Sequence, residues 1–216
     1  MDFFLNLYRT ELTLIQINKK MNTRALARKA IKEQIAVSAF ELFQQYGYEK
    51  TTVEMIAHAV GMSKRSYFRY FPTKEDVLLD PVHLFKSRFL ERFSELLASE
   101  DIWEALKHAL NEFAVNCAET GGGEVQAFIR KTPALLARQL EIIEILLEET
   151  TELYLTERNV DTSFNRQTVN AVIRSGFACL QSSQSGASVK VSEKVFSELM
   201  TAMKPHVLIN PLPSVE

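Results

Sequence analysis

Four cations and four aromatic rings share one twelve-residue stretch of the sequence. In SKRSYFRYFPTKEDVL, residues 63–78, Lys64, Arg65, Arg69 and Lys74 interleave with Tyr67, Phe68, Tyr70 and Phe71, and no acid intervenes before Glu75. Cations at that density suit a polyanion with grooves. Arg and Lys can bond guanine O6 and N7, the Ser66 hydroxyl can bond several base edges, and an apolar ring such as Phe68 can meet a thymine methyl. Lys74, the N–H groups at the start of the helix that follows, and the Thr52 hydroxyl can each hold a phosphate. At about 100° per residue, Lys64, Arg65, Phe68 and Arg69 fall on one side of a helix and Tyr67, Tyr70 and Phe71 on the other. The inner rings would fasten a helix too short to stand alone, and the cations would be left outward. The competing reading is a solvated charged face on a structural helix.

No second grouping offers chemistry. His58, His83, His108 and His206 are scattered, with no H-x-x-x-H or E-x-x-H pairing, no Gly-rich phosphate loop and no nucleophile motif. The expectation is a protein that is not an enzyme and uses no metal and no cofactor. Cys117 and Cys179 lie far apart and lack metal-ligand spacing, which fits a reducing cytosol and a cytoplasmic protein. No apolar run reaches the roughly 18 residues that a spanning helix needs, so no membrane partner is expected. The opening MDFFLNLYRTELTLIQINKK lacks a basic start, an unbroken apolar region and a cleavage site. Residues 1–22 are read as an extension, with Met21 an alternative start.

The elements that must carry the basic stretch are helical. A chain of 216 residues with 46% hydrophobic content, seven Gly and six Pro suits long helices better than a turn-dense β fold. Ile31, Ile35, Ala39, Leu42, Phe43 and Tyr46 recur at helical spacing and Gly47 can end that helix. Thr51 with Glu54 forms a capping-box pattern. Val53, Ile56, Ala57 and Val60 mark the buried side of a short second helix, Gly61 breaks it, and a third helix begins near Ser63. Two short helices around a Gly-containing turn is the helix-turn-helix layout. Phe71-Pro72 closes the third helix. Thr73 with Asp76 caps a fourth that starts near Lys74, with Pro81 early in it as a kink or hinge. Further helices are read at 82–99, 101–119, 124–131, 133–158, 164–184 and 191–204. Charge divides along the same line. Residues 24–80 hold nine Lys/Arg against seven Asp/Glu, residues 81–216 hold thirteen against eighteen, and the whole chain is at −2.

The stretch AFELFQQYGYEKTTVEMIAHAVGMSKRSYFRYFPTKEDVL, residues 39–78, resembles the tetracycline-repressor (TetR) family of bacterial regulators. The resemblance lies in Gly47-Tyr48, Thr51-Thr52, Ile56-Ala57, Gly61-Met62-Ser63, the aromatic run Phe68 to Phe71, and Lys74-Glu75. One departure is Phe68, where the family usually carries Tyr. The resemblance implies an all-α protein with a helix-turn-helix DNA-binding domain at 23–80, a helical ligand-binding and dimerisation domain at 81–210, and a tail at 211–216. It implies Lys64, Arg65, Ser66 and Arg69 as base readers, joined by Phe68, and Thr52, Tyr70 and Lys74 as phosphate binders. Double-stranded DNA with a palindromic operator is then the expected partner, bound by a homodimer, usually as a repressor. Val169, Val172, Ile173, Gly176, Phe177 and Leu180 form one candidate dimer stripe, and Phe196, Leu199 and Met200 belong to a second. The alternative is that both stripes are the core of one protomer; the dimer is the favoured reading, because a two-fold protein matches a two-fold operator. Phe85, Phe89, Phe93, Trp103, Phe113 and Phe128 are candidates to line a pocket for an apolar small-molecule effector, or plain core. Residues 132–149, TPALLARQLEIIEILLEE, are faintly similar to family members linked to acyl-CoA ligands. The rival class is a helical adaptor that binds protein through the same basic face.

Overall fold

The computed structural model of the chain describes residues 23–119, 123–158, 163–183 and 192–207. All regular structure among them is helical: α1 (Thr23–Tyr46), α2 (Val53–Ala59), α3 (Lys64–Tyr67), α4 (Asp76–Leu97), α5 (Ile102–Glu119), α6 (Gly123–Lys131), α7 (Pro133–Glu157), α8 (Ser163–Ser182) and α9 (Glu193–Val207). The all-α expectation holds. The expected extension at 1–22 and the tail at 211–216 lie outside the described residues.

The chain divides into two compact units. Of the described residues, the first holds those up to Pro81 and those within Glu119–Gln139, and the second holds those within Val82–Ala118 and from Leu140 onward. The division therefore falls inside α4 and inside α7. The cut after Pro81 lies within a residue of the expected boundary, but the first unit also takes in Glu119–Gln139, because α6 carries Phe128 onto α1. Its ring lies edge-on to Phe40 at 5.7 Å and face-on to Phe43 at 6.0 Å between centroids. Arg138, at the start of α7, lies 3.5 Å from the carboxylate of Asp76.

In the first unit, Ile35, Ala36, Ala39, Phe40 and Phe43 form the buried side of α1. The turn after α1 needs a left-handed residue, and Gly47 supplies it at φ +83°, its N–H reaching Phe43 O at 3.0 Å. The capping pattern works differently from its expected form. Thr51 is buried and turns its hydroxyl back onto Gly47 O at 2.8 Å, while Thr52 is the N-cap of α2 and accepts from Met55 N at 3.2 Å. Asp76 N–H donates to Thr73 Oγ1 at 3.2 Å, as the second capping pair predicts. α4 then runs unbroken through Pro81, which has no N–H to offer the Val77 carbonyl.

The second unit is a helical bundle around Phe89, Phe93, Trp103, Leu106, Ile173 and Phe196, among others. The Trp103 indole donates to Met200 O at 2.9 Å, tying α5 to α9. The Arg158 guanidinium gives the last carbonyl of α4 a partner, reaching Leu97 O at 2.8 Å, and reaches Glu100 O in the turn that follows at 2.8 Å.

Candidate nucleic-acid interface

The basic segment is held by two short helices and a fixed turn. α2 ends in a Schellman arrangement: Met62 N–H reaches Ala57 O at 2.9 Å and Gly61 N–H reaches His58 O at 3.0 Å, with Gly61 at φ +70°. That turn sets the exit direction of the chain. Ser63 then caps α3, its hydroxyl accepting from Ser66 N at 3.1 Å and meeting the Ser66 hydroxyl at 3.0 Å. α3 proper is four residues long, and its last turn tightens into bonds from Arg69 N to Ser66 O and from Tyr70 N to Tyr67 O.

Packing rather than length keeps this helix in place. Tyr67 and Phe71 are fully buried, their rings 5.8 Å apart, and the Tyr67 hydroxyl donates to Thr73 O at 3.2 Å. Burial first, and then the charges of Asp76 and Glu75, push the Tyr67 phenol above its ordinary value, so it stays a neutral donor. On the opposite side Lys64, Arg65 and Arg69 are exposed, and Phe68 stands 44% exposed beside them. This is the inner ring face and outer cation face that the spacing predicts.

The outward cations are not equivalent. Lys64 pairs with Glu54 across the turn, and that bond holds the Glu54 carboxyl below its usual range. Both groups are more than half exposed, so the pair is weak and easily exchanged. Arg65 and Arg69 have no acid within pairing distance among the described residues. Thr52 is exposed and Ser66 half-buried, each with its hydroxyl oxygen already capping a helix or its neighbour.

Lys74 sits differently from its expected place as a phosphate binder. Its ammonium donates to Tyr48 O at 2.9 Å and Thr51 O at 3.2 Å and stands 3.9 Å over the Tyr48 ring. Two of its three donors thus hold the turn between α1 and α2. Beside it the Tyr48 hydroxyl donates to Glu75. Burial works to raise the Glu75 carboxyl, but the bonds from Tyr48, its own backbone and Thr73, with the Lys74 charge, outweigh it and leave the carboxyl below its ordinary value.

Two residues that the spacing did not single out reach the same segment from α1. Arg28 donates to Arg69 O at 2.8 Å and lays its guanidinium 5.1 Å from the centre of the Tyr70 ring, which is half-buried. One turn on, Lys32 stands 5.2 Å from the Phe71 ring and bonds Asp80 at 2.5 Å. Their i, i+4 spacing is visible in the sequence, but the target of the pair is a tertiary contact.

A capped helix, a glycine turn and a second capped helix presenting cations match a known arrangement. The model of bacterial regulatory proteins of the tetR family matches residues 35–80. Over those residues the chain is similar to the tetR family. Among its relatives, the HTH-type transcriptional regulator TcmR of Streptomyces glaucescens is 30% identical over 141 residues, covering 60% of this chain and 61% of TcmR. The HTH-type transcriptional regulator RutR of Escherichia coli K12 is 33% identical over 82 residues, covering 33% of this chain and 39% of RutR. The chain thus spans less than two thirds of the length of either relative. Among solved structures, the tetR-family repressor FadR of Thermus thermophilus, in complex with lauroyl-CoA, superposes with a TM-score of 0.51 at 20% identity, over 86% of this chain and 99% of that one. This last likeness is one of fold.

The candidate sites outside the headpiece are placed as follows. Phe85, Phe89 and Phe93 form a ring ladder in the second unit, with centroids 5.7 Å apart at each step, and Phe89 meets Phe177 edge-on at 5.2 Å. Trp103 is buried in the same core, whereas Phe128 packs in the first unit. The Phe113 side chain lies outside the described residues. The candidate dimer stripes need a correction. Val169, Val172, Ile173, Gly176, Phe177, Leu180, Phe196 and Met200 are buried inside the protomer, and Leu199 is half-buried against them. A side chain at Gly176 would stand 3.4 Å from Leu106, so its smallness serves the approach of α5 to α8. All but Leu199 thus have almost no free surface to give a copy. Ala171 and Ala178 of α8, and Val195 and Met203 of α9, are exposed instead.

Proposed function

We propose that this chain is a sequence-specific DNA-binding transcriptional regulator that grips a palindromic operator as a homodimer, in the repressing mode usual for the family. The observation that supports this reading is the outer face of α3 and its trailing turn. Arg65, Arg69 and Phe68 stand exposed, and buried Tyr67 and Phe71 fix them from behind. Arg65 and Arg69 read base edges, with Lys64 released from Glu54 to join them, and Ser66 and Phe68 add short-range contacts. Thr52 and Tyr70, at the flanks, hold the sugar-phosphate backbone. A dimer presents two such faces to half-sites about one helical turn apart. Its contact surface is formed by the exposed faces of α8 and α9.

The effector is an apolar small molecule taken by the helical body. The lauroyl-CoA bound by FadR, a protein of like fold, has an apolar acyl chain of this kind joined to a polar, phosphate-bearing CoA. An effector that prefers one setting of α4 would shift the population of spacings between the two headpieces. Pro81, inside that helix, is the candidate hinge.

Selection of bound sequences from a randomised duplex pool, followed by titration at several salt concentrations, tests the reading. The expected result is one two-fold symmetric motif, bound far more tightly than random duplex and with a steep fall in affinity as salt rises. Binding of no duplex, or equal weak binding of all, would leave the helical adaptor as the better account.

A further inference from the structure

We propose that Arg28 is the residue that aims the recognition segment, and that it acts through protein contacts rather than by touching DNA. This rests on the DNA-binding reading above. α3 is so short that the carbonyls of its final turn have few helical partners. Backbone N–H groups take up the carbonyls of Lys64, Ser66 and Tyr67, and the Arg69 carbonyl receives the Arg28 guanidinium at 2.8 Å. A donor there limits rotation of the Arg69 peptide, and so fixes the direction in which the Arg69 side chain leaves the backbone. The same guanidinium stands over the ring of Tyr70, the next residue, at 5.1 Å from its centre. A planar fork of several donors holds both contacts in one fixed geometry, which a rotating ammonium on a flexible stem does not fix in the same way.

α1 repeats the device one turn further along. Lys32 faces the ring of Phe71 and is anchored to Asp80 on α4. Consecutive rings of the recognition segment are thus matched by cations four residues apart on α1. The anchored end is Lys32, and the adjustable end is Arg28, at the residue that carries a base-reading side chain. A bidentate contact to a base edge is directional, so a small rotation of Arg69 would cost recognition at its base pair and leave nonspecific attraction in place.

The test uses the full-length protein and the palindromic duplex recovered by selection, with a random duplex as control. Arg28→Met should weaken the selected duplex by about 10-fold, within the range for loss of one base contact, and weaken the random duplex by less than about 2-fold. The salt slope should not change. Arg28→Lys keeps the charge and should fail to restore affinity, and Arg28→Met should add almost nothing in an Arg69→Ala background. In the free protein, Arg28→Met should speed amide exchange at Tyr70 and Phe71. A uniform loss on both duplexes with a slope lowered by about 0.9, or rescue by lysine, would make Arg28 a phosphate contact and overturn the proposal. Unchanged amide exchange would overturn it whether or not any duplex binds. Failure of the DNA-binding reading looks different: the wild type and Arg65→Ala would then show the same indifference to the palindrome.

Discussion

Replacing Lys74 with Met separates two roles that a lysine at this position can have. The substitution keeps the apolar stem and removes the ammonium. In the structure that ammonium makes two bonds to carbonyls, at 2.9 and 3.2 Å, and stands over the Tyr48 ring at 3.9 Å. A hydrogen bond from a charged group contributes about 1.5–3 kcal/mol and an exposed cation–π contact about 0.5–1 kcal/mol. Lys74 is only half-buried and its contacts share one group, so they do not add in full. A loss of about 2–3 kcal/mol follows, which is about a 30- to 150-fold fall in the ratio of folded to unfolded protein. The sole tryptophan, Trp103, lies in the second unit, so its fluorescence would watch the wrong part of the chain. Urea unfolding followed by far-UV circular dichroism, with amide exchange read at Gly47 to Thr51, addresses the right one. Exchange there should accelerate, and the salt slope of operator binding should stay as it was. Wild-type stability combined with a slope lowered by about 0.9 would show that Lys74 neutralises a phosphate, and the reasoning would fail.

Arg65→Ala and Arg69→Ala should each weaken operator binding by about 1–3 kcal/mol and relax preference at one base pair, read by competition against single-site operator variants, while urea midpoints stay near wild type because both side chains are exposed. Glu75 has its folded pKa lowered, so the stability it adds is present above the ordinary carboxylate range and is lost as pH falls through the folded value. Tyr48→Phe, which removes the donor to Glu75, should cost about 1 kcal/mol near neutrality, and its urea midpoint should converge on that of the wild type in acid. Val195→Glu with Met203→Glu should shift sedimentation equilibrium toward monomer without lowering the protomer's stability; a dimer that survives both would place the contact elsewhere.

The headpiece was largely legible because its signals are local. Gly47 and Gly61 mark left-handed turns, Ser63 and Thr73 mark helix starts, and the ring spacing of Tyr67 and Phe71 marks the inner face of α3. The N-cap moved from Thr51 to Thr52 because a neighbouring carbonyl, contributed by the preceding turn, competes for the Thr51 hydroxyl. Such competition is invisible to a four-residue pattern. The body was harder to read. Both stripes of α8 and α9 have the spacing of an interface, but that spacing is equally the spacing of a core, and only the placement of α4 and α5 against them decides. Phe128 shows the same limit, since its ring could have served any helical neighbour and serves α1.

Net charge is therefore a poor guide to what this headpiece offers DNA. Its cations fall into two classes by partner. Lys32 and Lys74 are committed to an acid, to carbonyls and to ring faces that hold α1, the following turn and α4 together. Arg65 and Arg69 are exposed and unpaired by acids among the described residues, with Lys64 held only by an exposed pair to Glu54. An unpaired exposed cation reaches a polyanion without first breaking a bond, whereas a committed one must leave carbonyls that then lose a partner. Two lysines of equal formal charge, Lys64 and Lys74, thus differ in availability by the strength of what they would give up. Ranking these five by that cost, rather than counting them, selects the side chains on the outer face of α3 and the turn that follows it. Those are the same side chains that the rings of Tyr67 and Phe71 hold in place, so stability inside the headpiece and readiness outside it come from a single arrangement.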